Sequence, residues 1–250
     1  MDQYTITVIL VMITFLIAGT VKGIAGLGLP SVSLALLTVT IDLTSAMVLL
    51  VIPSLITNLW QAITGGNFRL ILWRIWPFLT VAAMTIWIGV SLISGVNVHW
   101  LSALLGLLLM VYALGGLTGF QLVLTANTQR WVGPLFGAIN GMVTGLTGSF
   151  VVPGVMYLQA MGFSRDELVQ AMGMLFFVST VVLGIALTGN DLFSEQLGLL
   201  SLFAVIPVCV GMLLGRKIRH SLSETAFRRV FFILLFALGF YVFAESLLTL

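Results

Sequence analysis

From Ile75 through Gln129 the chain contains no Asp, Glu, Lys or Arg. That interval decides the class of fold. It has room for two spans of about 20 residues each, the length that crosses a hydrocarbon core about 30 Å thick, and no water-soluble core requires such a run. Composition points the same way: the chain is 60% hydrophobic and 7% charged, against about 25% charged in ordinary soluble domains. The expected fold is an all-α polytopic membrane protein.

Apolar runs bounded by charges or turn residues place helices near residues 4–25, 29–40, 43–63, 70–94 and 98–119, then 131–148, 150–162, 165–188, 195–215 and 228–249. This makes about eight to ten hydrophobic helices once the short ones are set apart. The runs 29–40 and 150–162 are too short to cross the bilayer comfortably, so broken or re-entrant segments are expected there. Met1-Asp2-Gln3-Tyr4 lacks the basic residues of a secretory signal, and the apolar run after it continues unbroken, so a retained first helix is expected. The single cysteine, Cys209, leaves no intramolecular disulfide and no cysteine metal cluster. A formal charge of +2 is too small to suggest a nucleic-acid partner.

The first long run ends in Gly19 to Pro30, GTVKGIAGLGLP, and the chain uses this pattern again at Gly137 to Pro153, GAINGMVTGLTGSFVVP. Gly19 and Gly23 correspond to Gly137 and Gly141, and Lys22 falls opposite Asn140. Gly26 and Gly28, then Gly145 and Gly148, lead into Pro30 and Pro153. Glycine permits backbone conformations that other residues resist, and proline is tolerated in the first turn of a helix but not in its interior. Each copy should therefore be a broken helix pair. Unpaired backbone groups cost several kcal/mol each in hydrocarbon, so such a break survives only when buried in protein or lining a wet cavity. The two breaks are the first place to look for a site.

The repeat extends well beyond the glycines. Asp42 matches Glu167, Ser54 matches Ser179, Gly65 matches Gly189, and Ala113-Leu114-Gly115 matches Ala237-Leu238-Gly239, at an offset of about 118 to 126 residues. A repeat of this length is half a molecule rather than a solenoid unit. It divides the chain into a first transmembrane repeat at 1–120, a linker at 121–130 and a second repeat at 131–250. Five of the ten basic residues lie between Arg216 and Arg229, which assigns that loop to the cytoplasm. Arg130 and Arg165 fall on the same side if the segments between them form a hairpin. The loop from Gly189 to Glu195, with acids and no base, is then outside, whereas its first-half equivalent, with Arg69 and Arg74, is inside. The two halves should thus be inverted-topology repeats, the recurring design of secondary transporters, with the two breaks meeting near a pseudo-two-fold axis.

Lys22 is the only basic residue inside the first long run. A charge at that depth usually faces the bundle interior or a wet cavity, where it would attract an anion; the alternative is a lysine that snorkels to the interface. Asn140 could hydrogen-bond the same ligand without charge, or bridge helices. Helix N-termini near Leu29–Ser31 and near Ser149–Val152 would present N–H groups and partial positive charge, with Ser31, Ser33, Thr144, Thr147 and Ser149 adding hydroxyls. Gly23, Gly26, Gly28, Gly145 and Gly148 would allow close approach of a ligand to the backbone, or of one helix to another as small-xxx-small patterns do. Ser54, Thr57, Asn58 and Gln61 share one helix face, and their counterpart segment has Gln170, Ser179 and Thr180; such a stripe lines a path or ties helices together. Asp42 and Glu167 are candidates for proton coupling, but Asp42 reads more readily as an N-cap and Ser164-Arg165-Asp166-Glu167 as a capping box. Enzymatic readings find little support. The histidines are His99 and His220, neither at ligand spacing from another His, Cys or carboxylate. No base accompanies Gly148-Ser149, and no phosphate-binding Gly-x-x-x-x-Gly-Lys loop is present. No cofactor is expected.

With GTVKGIAGLGLP in the first half and GAINGMVTGLTGSFVVPGVMYLQAMGFSRDELVQAMGMLFFVST in the second, the chain resembles the sulfite exporter TauE/SafE family over nearly its whole length. The resemblance implies a multi-pass permease of the cell inner membrane that moves small anions, with sulfite, sulfonates and related sulfur compounds as the substrate class. The family's first motif often has a tighter glycine triplet, whereas Leu27 and Leu29 here separate Gly26, Gly28 and Pro30, which leaves the particular anion open. The expected function is secondary transport by alternating access at Lys22, Gly23, Gly26, Gly28, Ser31, Asn58, Asn140, Gly145, Thr147, Gly148 and Ser149. A passive anion channel, or a membrane scaffold for a sulfur-metabolising enzyme, are the competing readings. The partners are a small anion and the lipid bilayer, and the exposed aromatic and Met-rich helix faces suit lipid or a second copy of the chain.

Overall fold

A computed structural model describes residues 3–119, 124, 126–219 and 223–249. His220, Met1-Asp2, residue 120, and residues 121–123 and 125 of the expected linker lie outside the described residues. The structure contains α1 (Gln3–Ala25), α2 (Leu29–Thr40), α3 (Leu43–Ile63), α4 (Phe68–Ser91), a 3-10 turn at Ile93–Gly95, and α5 (Val98–Thr118). The second half contributes α6 (Ala126–Thr147), α7 (Gly154–Ala160), α8 (Arg165–Gly189), α9 (Glu195–Phe203), α10 (Val205–Arg219) and α11 (Glu224–Leu248). No strand occurs among the described residues.

Among the described residues, seven stretches are long and apolar enough to cross a membrane: Thr5–Ala25, Leu43–Ile63, Phe68–Gly95, Val98–Thr118, Arg165–Gly189, Glu195–Arg219 and Thr225–Leu248. The sixth joins α9 and α10 across Ala204, where the helical hydrogen bonds Ala204 N–H to Leu200 O and Val208 N–H to Ala204 O continue. The glycine-rich α6 is 22 residues long but more polar, and it begins at Ala126, ahead of the expected start near 131. With 12 and 7 residues, α2 and α7 rise about 18 Å and 10 Å at 1.5 Å per residue, well short of the hydrocarbon thickness. Ile6, Ile9, Ile13 and Ile17 form an exposed stripe along α1, a face that suits acyl chains better than water.

Capping follows the sequence. The Asp42 carboxylate accepts the Ser45 N–H at 2.8 Å at the start of α3. At α8 the Ser164 hydroxyl accepts the Glu167 N–H while the Glu167 carboxylate accepts the Ser164 N–H at 3.0 Å.

The helices pack into two compact units. The first comprises 1–53, 97–119 and 193–250, and the second comprises 54–96 and 120–192. Each unit draws on both sequence halves, and α3 passes from one to the other at Pro53-Ser54.

In the first unit α1 lies parallel to α10. A methyl group added to Gly19 would sit 2.5 Å from the Val208 carbonyl oxygen, one on Gly23 would strike Met212 O, and one on Gly215 would strike Thr20 O. Residue numbers rise together along both helices. By contrast α5 and α11 are antiparallel. Gly106 faces Gly239 and Phe243, Tyr112 meets Phe232 edge-on at 5.3 Å, and Thr249 Oγ1 lies 2.9 Å from His99 Nδ1.

The second unit is built around a parallel pair, α4 and α6. Gly137, Gly141 and Gly145 face the backbone at Phe78, Ala82 and Ile86 in turn, and Gly89 faces Met142 and Gly145. Only glycine lets helices approach this closely, which is the small-residue packing used between membrane helices. Glutamines tie α3 to α8: Gln61 Nε2 donates to Val169 O and Gln170 Nε2 to Ala62 O, both at 2.9 Å, while Gln170 Oε1 accepts the Asn67 N–H at 3.2 Å. At the same end of the unit, Arg74 donates to Met161 O at 2.8 Å and to Gln129 Oε1 at 3.3 Å, and its guanidinium stacks 4.3 Å above the Phe163 ring. These contacts tie the first turns of α4 to the α6 start and to the turn before α8.

Candidate functional site

The two breaks lie in different units. In the first unit α1 ends with Lys22 in its last turn, buried to 4% exposure, and Gly26 N–H closes that turn on Lys22 O at 2.8 Å. Gly28 then adopts φ 102°, a left-handed conformation that L side chains resist, and turns the chain into α2. Gly28 sits at the N-cap of α2 with no side chain capping it, and a methyl there would also meet Val21 and Phe231. Pro30 has no N–H to give, and Val32 N–H goes to Gly28 O. The N–H groups of Leu29 and Ser31 therefore stand at the open end of the helix. Ser31 is buried, and the Ser33 hydroxyl turns back onto Leu29 O at 2.7 Å. The first break thus combines one buried cation with the positive end of a helix, a combination suited to an anion.

The second break achieves a turn by different bonds. Thr147 ends α6, with its hydroxyl on Val143 O, and Gly148 turns at φ 72°. The chain then runs back alongside α6: Thr144 Oγ1 donates to Ser149 O at 2.9 Å, and five residues later Gly154 N–H donates to Asn140 Oδ1, also at 2.9 Å. The expected helix start near Ser149–Val152 lies instead at Gly154, because Asn140, reaching across from α6, accepts the first N–H of α7 in the manner of a cap. Packing holds this loop in place. Phe150 packs against Phe176 of α8 with the rings tilted and their centroids 5.8 Å apart, and a methyl on Gly154 would meet Asn140 Oδ1 at 2.5 Å and Leu175 at 2.9 Å.

Lys22, Gly23, Gly26, Gly28 and Ser31 are thereby brought together at the first break, and Asn140, Thr147, Gly148 and Ser149 at the second. Gly23 and Gly145 face the backbone of neighbouring helices, Met212 and Ile86 respectively. Asn58 is fully buried on the part of α3 that belongs to the second unit. The polar stripe around it divides by role. Gln61 and Gln170 tie helices together, and Thr57 and Thr180 turn back onto Ser54 O and Phe176 O.

The buried Asn140 Nδ2 and Ser149 Oγ find no hydrogen-bond partner among the described residues, and the same holds for Ser54 Oγ and Ser179 Oγ. In the sequence, Ser179 is the repeat partner of Ser54 and one of the polar residues, with Gln170 and Thr180, on the counterpart of the α3 stripe. No group of three His, Cys, Asp or Glu able to hold a metal occurs among the described residues.

The family model described as Sulfite exporter TauE/SafE matches residues 11–242, a stretch that includes both breaks. No curated protein and no solved structure matches the chain.

Proposed function

Because this chain belongs to the sulfite exporter TauE/SafE family, we propose that it carries sulfite or a small sulfonate by alternating access at its two glycine-broken helix pairs. Family membership makes it a multi-pass integral membrane transporter of small sulfur-containing anions and not an enzyme.

The observation that carries the finer reading is the first break, where the buried Lys22 precedes two positive-φ glycines and an uncapped helix N-terminus. A buried ammonium beside the positive end of a helix is a combination that attracts an anion. The uncharged second break supplies neutral donors from Asn140 and Ser149.

The helix directions favour an inverted duplication. The equivalent helices α5 and α11 run antiparallel, while α1 and α6, the two glycine helices, each run parallel to the fourth segment of the other sequence half. Inverted repeats with interrupted helices are the architecture in which a site is opened alternately to the two sides.

Binding of sulfite, thiosulfate, sulfate and a small sulfonate to the purified protein tests the reading, with Lys22→Ala and Asn140→Ala measured alongside. Stabilisation of the wild type by one of these anions, lost in a folded Lys22→Ala protein, is the expected result. Equal stabilisation of wild type and Lys22→Ala contradicts it.

A further inference from the structure

We propose that the second break is an uncharged oxyanion pocket, completed by Ser179 of α8, and that it selects monoanions over dianions. The inference rests on the transport reading above and adds the charge state of the substrate and a recognition residue.

Three buried groups carry the argument. Asn140, Ser149 and Ser179 are each at most 1% exposed, and Asn140 Nδ2, Ser149 Oγ and Ser179 Oγ have no hydrogen-bond partner among the described residues. Unpartnered polar groups at such burial are uncommon, because each costs the desolvation of a donor without return. The three such groups lie on α6, on the loop after it and on α8. The elements do adjoin: Gly154 binds Asn140 of α6, Ser149 binds Thr144 of α6, and the loop between them packs on Leu175 and Phe176 of α8. Ser179 lies three and four residues beyond Phe176 and Leu175, on the same face of α8 and one turn further along.

The orientation of Asn140 is fixed by its own bond. Its oxygen must accept the Gly154 N–H, so its amide nitrogen turns two donors outward. The serine hydroxyls add two more donors, and the ligand that fits is rich in acceptor oxygens.

The segments that carry these three groups hold no charge of their own. From Gly137 to Gly162 and from Leu168 to Asn190 there is no Asp, Glu, Lys, Arg or His. The cost of transferring an ion from water grows with the square of its charge, so a dianion is penalised about fourfold more than a monoanion of the same size. Neutral donors recover part of that cost for a single charge and too little for two. A sulfonate or hydrogensulfite suits the pocket, and sulfate does not.

The test uses full-length protein in detergent, titrated with methanesulfonate and with sulfate at equal ionic strength while ligand-dependent thermal stability is followed. The wild type should bind methanesulfonate at least about tenfold more tightly than sulfate. Ser179→Ala should weaken methanesulfonate about tenfold, the loss expected of one buried hydrogen bond to a charged ligand, and Ser179→Thr, which keeps the hydroxyl, should restore most of it. Ser149→Ala gives a second reading should Ser179→Ala fail to fold, and the comparison of the two anions on wild type needs no variant. Sulfate binding as tightly as methanesulfonate overturns the proposal. Methanesulfonate binding that is lost in Lys22→Ala but unchanged in folded Ser179→Ala and Ser149→Ala also overturns it, while leaving the transport reading intact. Failure of wild type to bind methanesulfonate also overturns the proposal, and the sulfite binding described above then decides whether the transport reading stands.

Discussion

Pro53 lies in the middle of α3, where it removes the N–H that would otherwise serve Leu49 O, the carbonyl four residues earlier. The structure repairs this gap from a distant segment. The fully buried Ser201 of α9 donates its hydroxyl to Leu49 O at 2.8 Å and accepts the Ile52 N–H at 3.3 Å. Ser201→Ala removes both bonds and leaves the Leu49 carbonyl with no donor. A buried group stranded in this way costs about 1–3 kcal/mol, and hydrogen bonds between membrane helices average about 0.6 kcal/mol. The expected loss is therefore about 1–2 kcal/mol, combining the two ranges. Pro53→Ala restores a backbone donor to Leu49 O, so Ser201→Ala should cost about 1 kcal/mol less in that background. Reversible unfolding in mixed micelles, followed by far-ultraviolet circular dichroism for all four members of the cycle, gives the coupling. Additivity within about 0.3 kcal/mol would refute the assignment of Ser201 as the partner of the proline gap.

Two further outcomes test the glycines by position. Gly141→Ala should force α6 away from Ala82 O and Thr85 of α4 and lower stability by about 1–3 kcal/mol, the range for overpacked cores, in the same unfolding assay. Gly148→Ala should cost about 1–2 kcal/mol for a left-handed alanine, whereas Gly95→Ala, at a position with no atom within 4 Å of the added methyl and no positive φ, should leave the unfolding midpoint unchanged.

Local chemistry explains which parts of this fold were legible in the chain. The uncharged run, the caps at Asp42 and Ser164, and the breaks at Gly28 and Gly148 all depend on residues within a few positions of one another, and helix positions follow from them. Boundaries drifted where polarity is mixed, as at Ala126, where helix continues through Asn127 and Gln129. Partner choice is another matter. Nothing in Gly19 or Gly23 says that α1 packs on α10, or in Gly137 and Gly141 that α6 packs on α4, because a glycine stripe specifies a close approach without naming the helix that approaches. Correspondence along the sequence does not set which helices touch, and each unit takes helices from both sequence halves. At the second break the motif located Asn140 and Ser149, but the bond from Gly154 to Asn140 requires the chain to fold back on α6. Ser179 gave only a faint signal, as the repeat partner of Ser54, because its relevance depends on α8 packing against the loop. Gln61 and Gln170 show the reverse: of the two roles open to the polar stripe, lining a path or tying helices together, these glutamines take the second and tie α3 to α8.

Transport itself is the decisive observable for the account as a whole. Purified protein reconstituted into liposomes preloaded with sulfite should accumulate labelled sulfite transiently by counterflow, saturably, and Lys22→Ala liposomes holding an equal amount of folded protein should lose most of that flux. Counterflow unchanged by Lys22→Ala would contradict the role given to the first break. Flux without counterflow at rates far above those of a carrier would contradict alternating access and identify a channel.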